Sequence, residues 1–293
     1  MHTLTASTHG KSRVRFSKIL RPRQRPPAEE THRFLEASVD VLLEGGADRA
    51  YTHGDNGGVV ATDTIKNTVF ALAKDTDFGD LPTLARALCP HFLAQYPHLE
   101  KATVRMSGHT WHRLGGCPHA FTGSDTESRE VEAVAARGRP LRLTDGLGGL
   151  TLAKTTATSF EGFHADAFRT LPDAADRVLA TVLGARWEVN EAADRGDFDA
   201  VFAAVRGALL ASFVDHHSVS VQATLHRMAS AALDATGAID LVTLTMPNLH
   251  HLPVDLSPLG RTNENEVFHV TDEPAGFIRA TVSRGAPADP ASV

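Results

Sequence analysis

The chain has 293 residues, of which 42% are hydrophobic and 22% are charged, so it is long enough for one large domain or two of ordinary size. Its net charge of −6 disfavours a broad nucleic-acid surface, and no apolar run approaches the about 18 residues that span a bilayer. The two cysteines, Cys89 and Cys117, do not make a disulfide framework and favour a reducing compartment.

Neither end of the chain carries a targeting pattern. The N-terminus is polar and lacks the apolar core of a signal peptide, and the C-terminal Pro-Ala-Ser-Val is not a peroxisomal tripeptide. We therefore expect a cytoplasmic protein that binds neither nucleic acid nor membrane.

The first half of the chain reads as strands on either side of two helices. Two-residue alternation predicts strands over residues 12–20, about 32–44, about 98–113 and 118–137. From Thr62 the apolar residues recur at helical spacing, and Thr62 or Asp63 can cap the first turn. Asp80 and Pro82 then open a second helix, because a proline in the first turn has no N–H to leave unpaired.

The second half repeats this order. Strands are predicted at residues 140–154, 178–189, 239–247 and near 277–282, and helices at 197–213 and 218–236. The order ββααββ thus occurs twice, in residues 1–138 and 139–293, which indicates duplication and an α+β fold with an antiparallel sheet and helices on one face. Uncovered sheet edges favour closure with other subunits.

Two predicted helix starts carry polar residues. Thr62 and Asp63 either cap their helix or help to bind an anion, since a helix N-terminus offers unpaired N–H groups and a partial positive charge. Gln222 lies at the start of a helix in the second half, where a surface glutamine is the ordinary interpretation.

Arg177 and Phe160 suit a flat ligand. Each is ordinarily explained by structure, Arg177 as a surface charge and Phe160 as core. A guanidinium with parallel donors nevertheless matches a heterocycle with carbonyl and ring-nitrogen acceptors, and an aromatic ring stacks on one. His250 and His251 are adjacent, so they point to opposite faces of an extended chain, and no cysteine or carboxylate accompanies them at ligand spacing. We expect no metal site.

Five segments together resemble the uricase (urate oxidase) family. They occur in the family's order and spacing between about residue 9 and residue 285, as His9-Gly-Lys11, Gly54 to Thr68, Lys154 to Arg177, Val221-Gln222-Ala-Thr and Pro247-Asn248-x-His250. The resemblance implies two tunnelling-fold (T-fold) units per chain and a homotetramer with active sites between subunits. It also implies the first step of urate degradation in purine metabolism: oxidation of urate by O2 and water to 5-hydroxyisourate and hydrogen peroxide, with no cofactor.

The family's substrate-binding positions can be carried over by motif. Arg177 and Gln222 would grip the urate ring in its plane, and Phe160 would stack on its face. The backbone of Val221 would lie beside the ring, and Asn248 would face the site above it that holds O2 and later water.

The remaining positions concern proton transfer. Thr62 and Asp63 would come from the neighbouring subunit and contact the imidazole side of the purine, and Lys11, Thr62 and His250 would form a proton relay. Two alternatives stay open: a zinc-dependent pterin-type enzyme on the same fold, and a non-catalytic purine-binding protein. The first usually needs a Cys/His cluster, which is not apparent in the sequence, and the second needs no proton relay.

Overall fold

The computed structural model describes residues 2–21, 31–190 and 196–285. The C-terminal sequence on which the expected absence of a peroxisomal signal rests lies outside the described residues. The chain divides into two compact units, Met1–Gly146 (unit 1) and Leu147–Val293 (unit 2). Within the described ranges, no helix is both long and apolar enough to cross a membrane.

Unit 1 combines four antiparallel strands with three helices. The strands pair in chain order and are β1 (His9–Leu20), β2 (Arg33–Glu44), β3 (Lys101–Arg113) and β4 (Phe121–Ala136). The helices are α1 (Asp48–His53), α2 (Thr62–Asp75) and α3 (Leu81–Gln95). Helix α2 packs against β1, and α3 packs against β3 and β4. The core between them is made of aliphatic and aromatic side chains, including Val39, Val41, Ile65, Val69, Leu84, Leu88, Phe92 and Val104.

The two helix starts of unit 1 differ from each other. Helix α3 begins as predicted: the carboxylate of Asp80 accepts a hydrogen bond from the Thr83 backbone N–H at 2.8 Å. The prediction that Thr62 or Asp63 caps α2 is wrong, because Ala61 is the N-cap residue and no side chain caps it. The Asp63 carboxylate instead accepts hydrogen bonds from side chains one turn further along α2.

In its described residues, unit 2 combines six strands with two α-helices. Its strands are β5 (Arg142–Lys154), which begins in unit 1, β6 (Leu179–Val189), β7 (Ile239–Thr245), β8 (Asn248–Pro253), β9 (Phe268–Gly276) and β10 (Arg279–Ser283). They are ordered β5-β6-β7-β10, while β8 pairs with β6 and β9. The helices are α4 (Phe198–Val214) and α5 (Val221–Ala235). The hairpin of β8 and β9 is the part of unit 2 that periodicity did not predict.

The core of unit 2 lies between its helices and its sheet. Trp187 on β6, Leu209 on α4 and Met228 on α5 are all fully buried in one cluster. Helix α5 begins after Ser220, whose hydroxyl accepts a hydrogen bond from the Ala223 backbone N–H at 3.1 Å. This cap sets the start of α5, so that Val221 is the first residue of the helix.

Candidate functional site

A pocket of about 190 Å³ lies in unit 2. It is formed by the chain from Phe160 to Val178 and by the β8–β9 hairpin, and its lining includes Phe160, Arg177, Asn248 and His250. Four of the predicted site residues therefore meet at one cavity. The volume is below the about 300 Å³ at which pockets for drug-sized ligands begin, so the cavity suits a small molecule.

Backbone contacts hold Arg177 at this pocket. Its N–H donates to the Thr158 carbonyl at 3.0 Å, and its Nε donates to the Ser159 carbonyl at 3.0 Å. The side chain is half-buried, and burial lowers the pKa of its guanidinium. Its two Nη groups make no hydrogen bond to any residue that the structure describes. They are available as donors to a ligand.

Phe160 is fixed by a short bridge to Ala174. The Phe160 N–H donates to the Ala174 carbonyl at 2.7 Å, and the reverse bond is 2.8 Å long. The Phe160 ring stacks on Phe163, with centroids 4.5 Å apart and planes at 18°, and the Arg169 guanidinium lies 5.3 Å from the Phe160 centroid. The ring therefore has neighbours of its own, although it also lines the pocket.

Asn248 lines the pocket and carries an unsatisfied polar atom. It begins β8, where it is paired with Thr181 of β6 and Gly276 of β9. Its Oδ1 is buried and has no hydrogen-bond partner among the described residues, while its Nδ2 lies 3.5 Å from His250 Nδ1. A buried carbonyl oxygen left without a donor is costly, so a rotation of this side chain that let Oδ1 accept a hydrogen bond in the pocket would be favourable.

The start of α5 is tied to the same part of unit 2. The Ser159 N–H donates to the Ser218 carbonyl at 2.9 Å, and the Ser218 N–H donates to the Ala157 carbonyl at 2.8 Å. Three residues further on, Val221 is buried and Gln222 is exposed. Gln222 is close in sequence to these contacts, but it is not among the residues that line the cavity.

The other three predicted site residues lie in unit 1. Lys11 precedes an irregularity of β1, between the pairs Lys11–Val41 and Val14–Val39, where Arg13 has a positive φ of 55°. Such a bulge changes the direction of the side chains near it. Gly10 is required here, since an added Cβ would lie 1.9 Å from the Val41 carbonyl oxygen.

Thr62 and Asp63 occupy the exposed first turn of α2. A hydrogen bond from Lys66 lowers the pKa of the Asp63 carboxyl, and the charges of Lys66 and Lys11 act in the same direction. The effect of Lys11 is the smallest of these. Unit 1 therefore carries both the basic and the acidic residues of this group.

Sequence reasoning missed the apolar part of the pocket. Leu249, Leu252 and Phe268 belong to the hairpin that was not predicted, and they line the cavity with His251. For Leu249 and Leu252, the available signal was a short run of leucines and histidines bounded by Pro247 and Pro253. Across the residues that the structure describes, no three His, Cys, Asp or Glu side chains are grouped as metal ligands would be.

Comparison with known proteins identifies the family. A model of the family described as Uricase matches residues 7–134 and 143–279. The chain belongs to the uricase family. Among its curated relatives, the uricase of Arthrobacter globiformis is 37% identical over 96% of this chain and 90% of its own length. The uricase of Aspergillus flavus is 33% identical over 97% of this chain and 98% of its own.

Solved uricase structures agree with the fold. The crystal structure of the Arthrobacter globiformis uricase matches with a TM-score of 0.91 over 99% of this chain and 98% of that one. The architecture shared with this uricase is a mixed α and β fold built on antiparallel sheet with a few helices. The expected membership of the family is confirmed.

Proposed function

We propose that this uricase-family chain oxidises urate with O2 and water to 5-hydroxyisourate and hydrogen peroxide, without a metal or organic cofactor. One molecule each of urate, O2 and water gives one molecule of each product, so two electrons pass from urate to O2. The observation that carries the proposal is the unit 2 pocket, where Arg177, Phe160 and Asn248 line one small cavity.

The pocket residues match the parts of a flat, electron-rich anion. The free Nη groups of Arg177 supply parallel donors in one plane, and Gln222 adds an amide from the start of α5. Phe160 stacks on the ring and the Val221 backbone lies beside it. Asn248 faces the space above the ring, where O2 and later water are held. Deprotonated urate can pass an electron to O2 directly, so positioning, proton removal and exclusion of water are what the protein must provide.

The unit 1 residues complete the site from a neighbouring subunit. In this proposal each chain is a tandem of T-fold units, ββααββ in each, and the assembly is a homotetramer with its sites between subunits. Thr62 and Asp63 contact the imidazole side of urate. Lys11, Thr62 and His250 relay the proton that urate loses. The charge of Lys11, which favours the ionised carboxylate of Asp63, supports this grouping.

The test is an assay of urate absorbance with and without O2, repeated in the presence of a chelator. We expect loss of urate that requires O2, is unaffected by the chelator and releases hydrogen peroxide in equal amount. Activity that the chelator abolishes would favour a zinc enzyme of the pterin type. Binding of urate without turnover would favour a purine-binding protein.

A further inference from the structure

A chain of part-buried and buried hydrogen bonds runs beside the first turn of α5, outside the pocket lining. His216 Nδ1 lies 2.8 Å from the Ser212 carbonyl, and His216 Nε2 lies 2.9 Å from Thr224 Oγ1. Thr224 Oγ1 is in turn 2.6 Å from Ser218 Oγ, and both residues are fully buried. Lys154 Nζ donates to the backbone carbonyl of His216. These contacts join the end of β5, the end of α4 and the start of α5.

The chemistry of the partners fixes the direction of this chain. A carbonyl only accepts, so the proton of a neutral His216 is on Nδ1, and its Nε2 accepts from the Thr224 hydroxyl. The hydroxyl of Thr224 has one hydrogen, so Ser218 must donate to Thr224. Burial is the main cause that lowers the pKa of His216. The Ser212 carbonyl and the charge of Asp215 oppose it, and the charges of Lys154 and Arg227 add to it, so the neutral imidazole is favoured near pH 7.

This chain ends at the residue that connects α5 to the pocket. The backbone of Ser218 bonds to Ala157 and Ser159, and Thr158, which lies between them, accepts from the backbone N–H of Arg177. Gln222 follows Ser218 by four residues. The hydroxyl of Ser218 is therefore placed where it can fix the spacing between the segment that carries Arg177 and the start of α5.

We propose that His216 is a positioning residue for the unit 2 pocket: as a neutral Nδ1–H imidazole it orients Thr224 and Ser218, and so sets the distance between Gln222 and Arg177. The inference rests on the proposed function, in which those two side chains grip urate.

Protonation of His216 reverses the chain. Nε2 then donates to Thr224, Thr224 donates to Ser218, and the Ser218 hydroxyl must turn to its remaining acceptor, the Ser220 carbonyl at 3.3 Å. The charged groups that face His216 are Lys154 on β5, Arg227 on α5 and Asp215 after α4, and the two cations oppose its protonation. Urate binding should therefore weaken as the pH falls and His216 becomes charged.

The first test compares two substitutions of Thr224. Thr224→Val removes the hydroxyl at nearly constant volume, and we expect it to raise the KM for urate about 10-fold while kcat changes less than about 3-fold. Thr224→Ser keeps the hydroxyl and should stay close to the wild-type KM. His226→Asn, an exposed position on the same helix, is the matched control and should leave both constants unchanged. A normal KM for Thr224→Val, or an equal defect in Thr224→Ser, overturns the inference.

The second test uses pH and does not depend on Thr224→Val folding well. The wild-type KM should rise on acidification from about pH 7 to pH 5, whereas His216→Gln, which can bond to Thr224 but cannot titrate, should show a flatter profile. Identical profiles would contradict the inference. If the wild type neither binds nor oxidises urate at any pH, the proposed function itself fails. If the wild type oxidises urate and the variants have the same KM and the same pH profile, only the inference about His216 fails.

Discussion

Arg177 and Asn248 of unit 2 are more shielded from water by their own unit than Thr62 and Asp63 of unit 1 are. In unit 2, Arg177 is half-buried and Asn248 Oδ1 is fully buried at a defined cavity. In unit 1, the side chain of Asp63 is 72% exposed and that of its partner Lys66 is 38% exposed. A shielded donor and acceptor are pre-organised for a ligand, whereas an exposed ion pair is screened and contributes little to stability.

This difference separates the roles that we assign to the units. Unit 2 supplies a pocket whose polar groups are already oriented, so its residues other than His250, which belongs to the proposed relay, should act mainly on substrate binding. Unit 1 supplies charged and hydroxyl groups that need cover from elsewhere before they can act in a dry site. We therefore expect changes in unit 1 to reduce turnover while leaving the fold and the affinity for urate largely intact.

The largest effect is expected at Lys11. Lys11→Met should lower kcat by about 10²–10⁴, the usual worth of a general acid or base, while urate binding largely survives. Steady-state kinetics of purified protein measure both constants. Lys74→Met, at an exposed position of α2, controls for loss of a positive charge. If kcat of Lys11→Met equals that of the wild type, Lys11 has no place in the relay.

Arg177 should give the next largest effect, on affinity. Arg177→Ala removes the paired donors from a half-buried position, and we expect urate to bind about 100-fold more weakly. Titration with urate in the absence of O2 measures this without turnover. Arg186→Ala, exposed on β6, is the matched control. Unchanged affinity in Arg177→Ala would show that Arg177 does not grip urate, and the expected difference in role between the two units would not hold.

A smaller effect concerns stability and pH. The pKa of His216 is lower in the folded protein than its ordinary value of about 6.5. Below that value the unfolded chain binds a proton that the folded chain resists, so the free energy of unfolding falls as pH decreases from about 7 to 5. Urea unfolding across this range should show a shallower dependence for His216→Gln. A steeper pH dependence in the variant would mean that folding does not lower the pKa of His216, which contradicts the neutral imidazole assigned to it.

The smallest effect on stability is expected at Asp63. Its side chain is exposed, so Asp63→Asn should leave the midpoint of urea unfolding essentially unchanged, although kcat/KM for urate should fall. Circular dichroism and the same activity assay compare the two quantities. A clear loss of stability in Asp63→Asn would show that this residue is structural, against the proposed division of roles.

How much the sequence predicts depends on the length and regularity of each element. The helices α2 to α5 and the long strands follow from apolar periodicity, and the start of α3 follows from Asp80. Helix α1 has six residues between glycine turns, and β8 has six residues interrupted by histidines, so neither gives a lasting period. The capping of α2 failed because Asp63 finds donors on its own helix.

The site is less accessible to sequence reasoning than the fold. Phe160, Arg177 and Asn248 were singled out by chemistry and by resemblance, but their meeting at one cavity depends on backbone bonds between distant segments. No local sequence pattern predicts such bonds. The same holds for His216, whose partners lie 4 and 8 residues away and whose importance appears only when Thr224 and Ser218 are seen to be buried together.

The central claim is that urate occupies the unit 2 pocket. It is tested most directly by a crystal structure of the chain with urate, prepared without O2 so that the substrate persists. We predict urate in the plane of the Arg177 guanidinium, with Phe160 against its face and Asn248 Oδ1 directed to the space above it. Urate bound elsewhere, or out of reach of Arg177, would contradict the account.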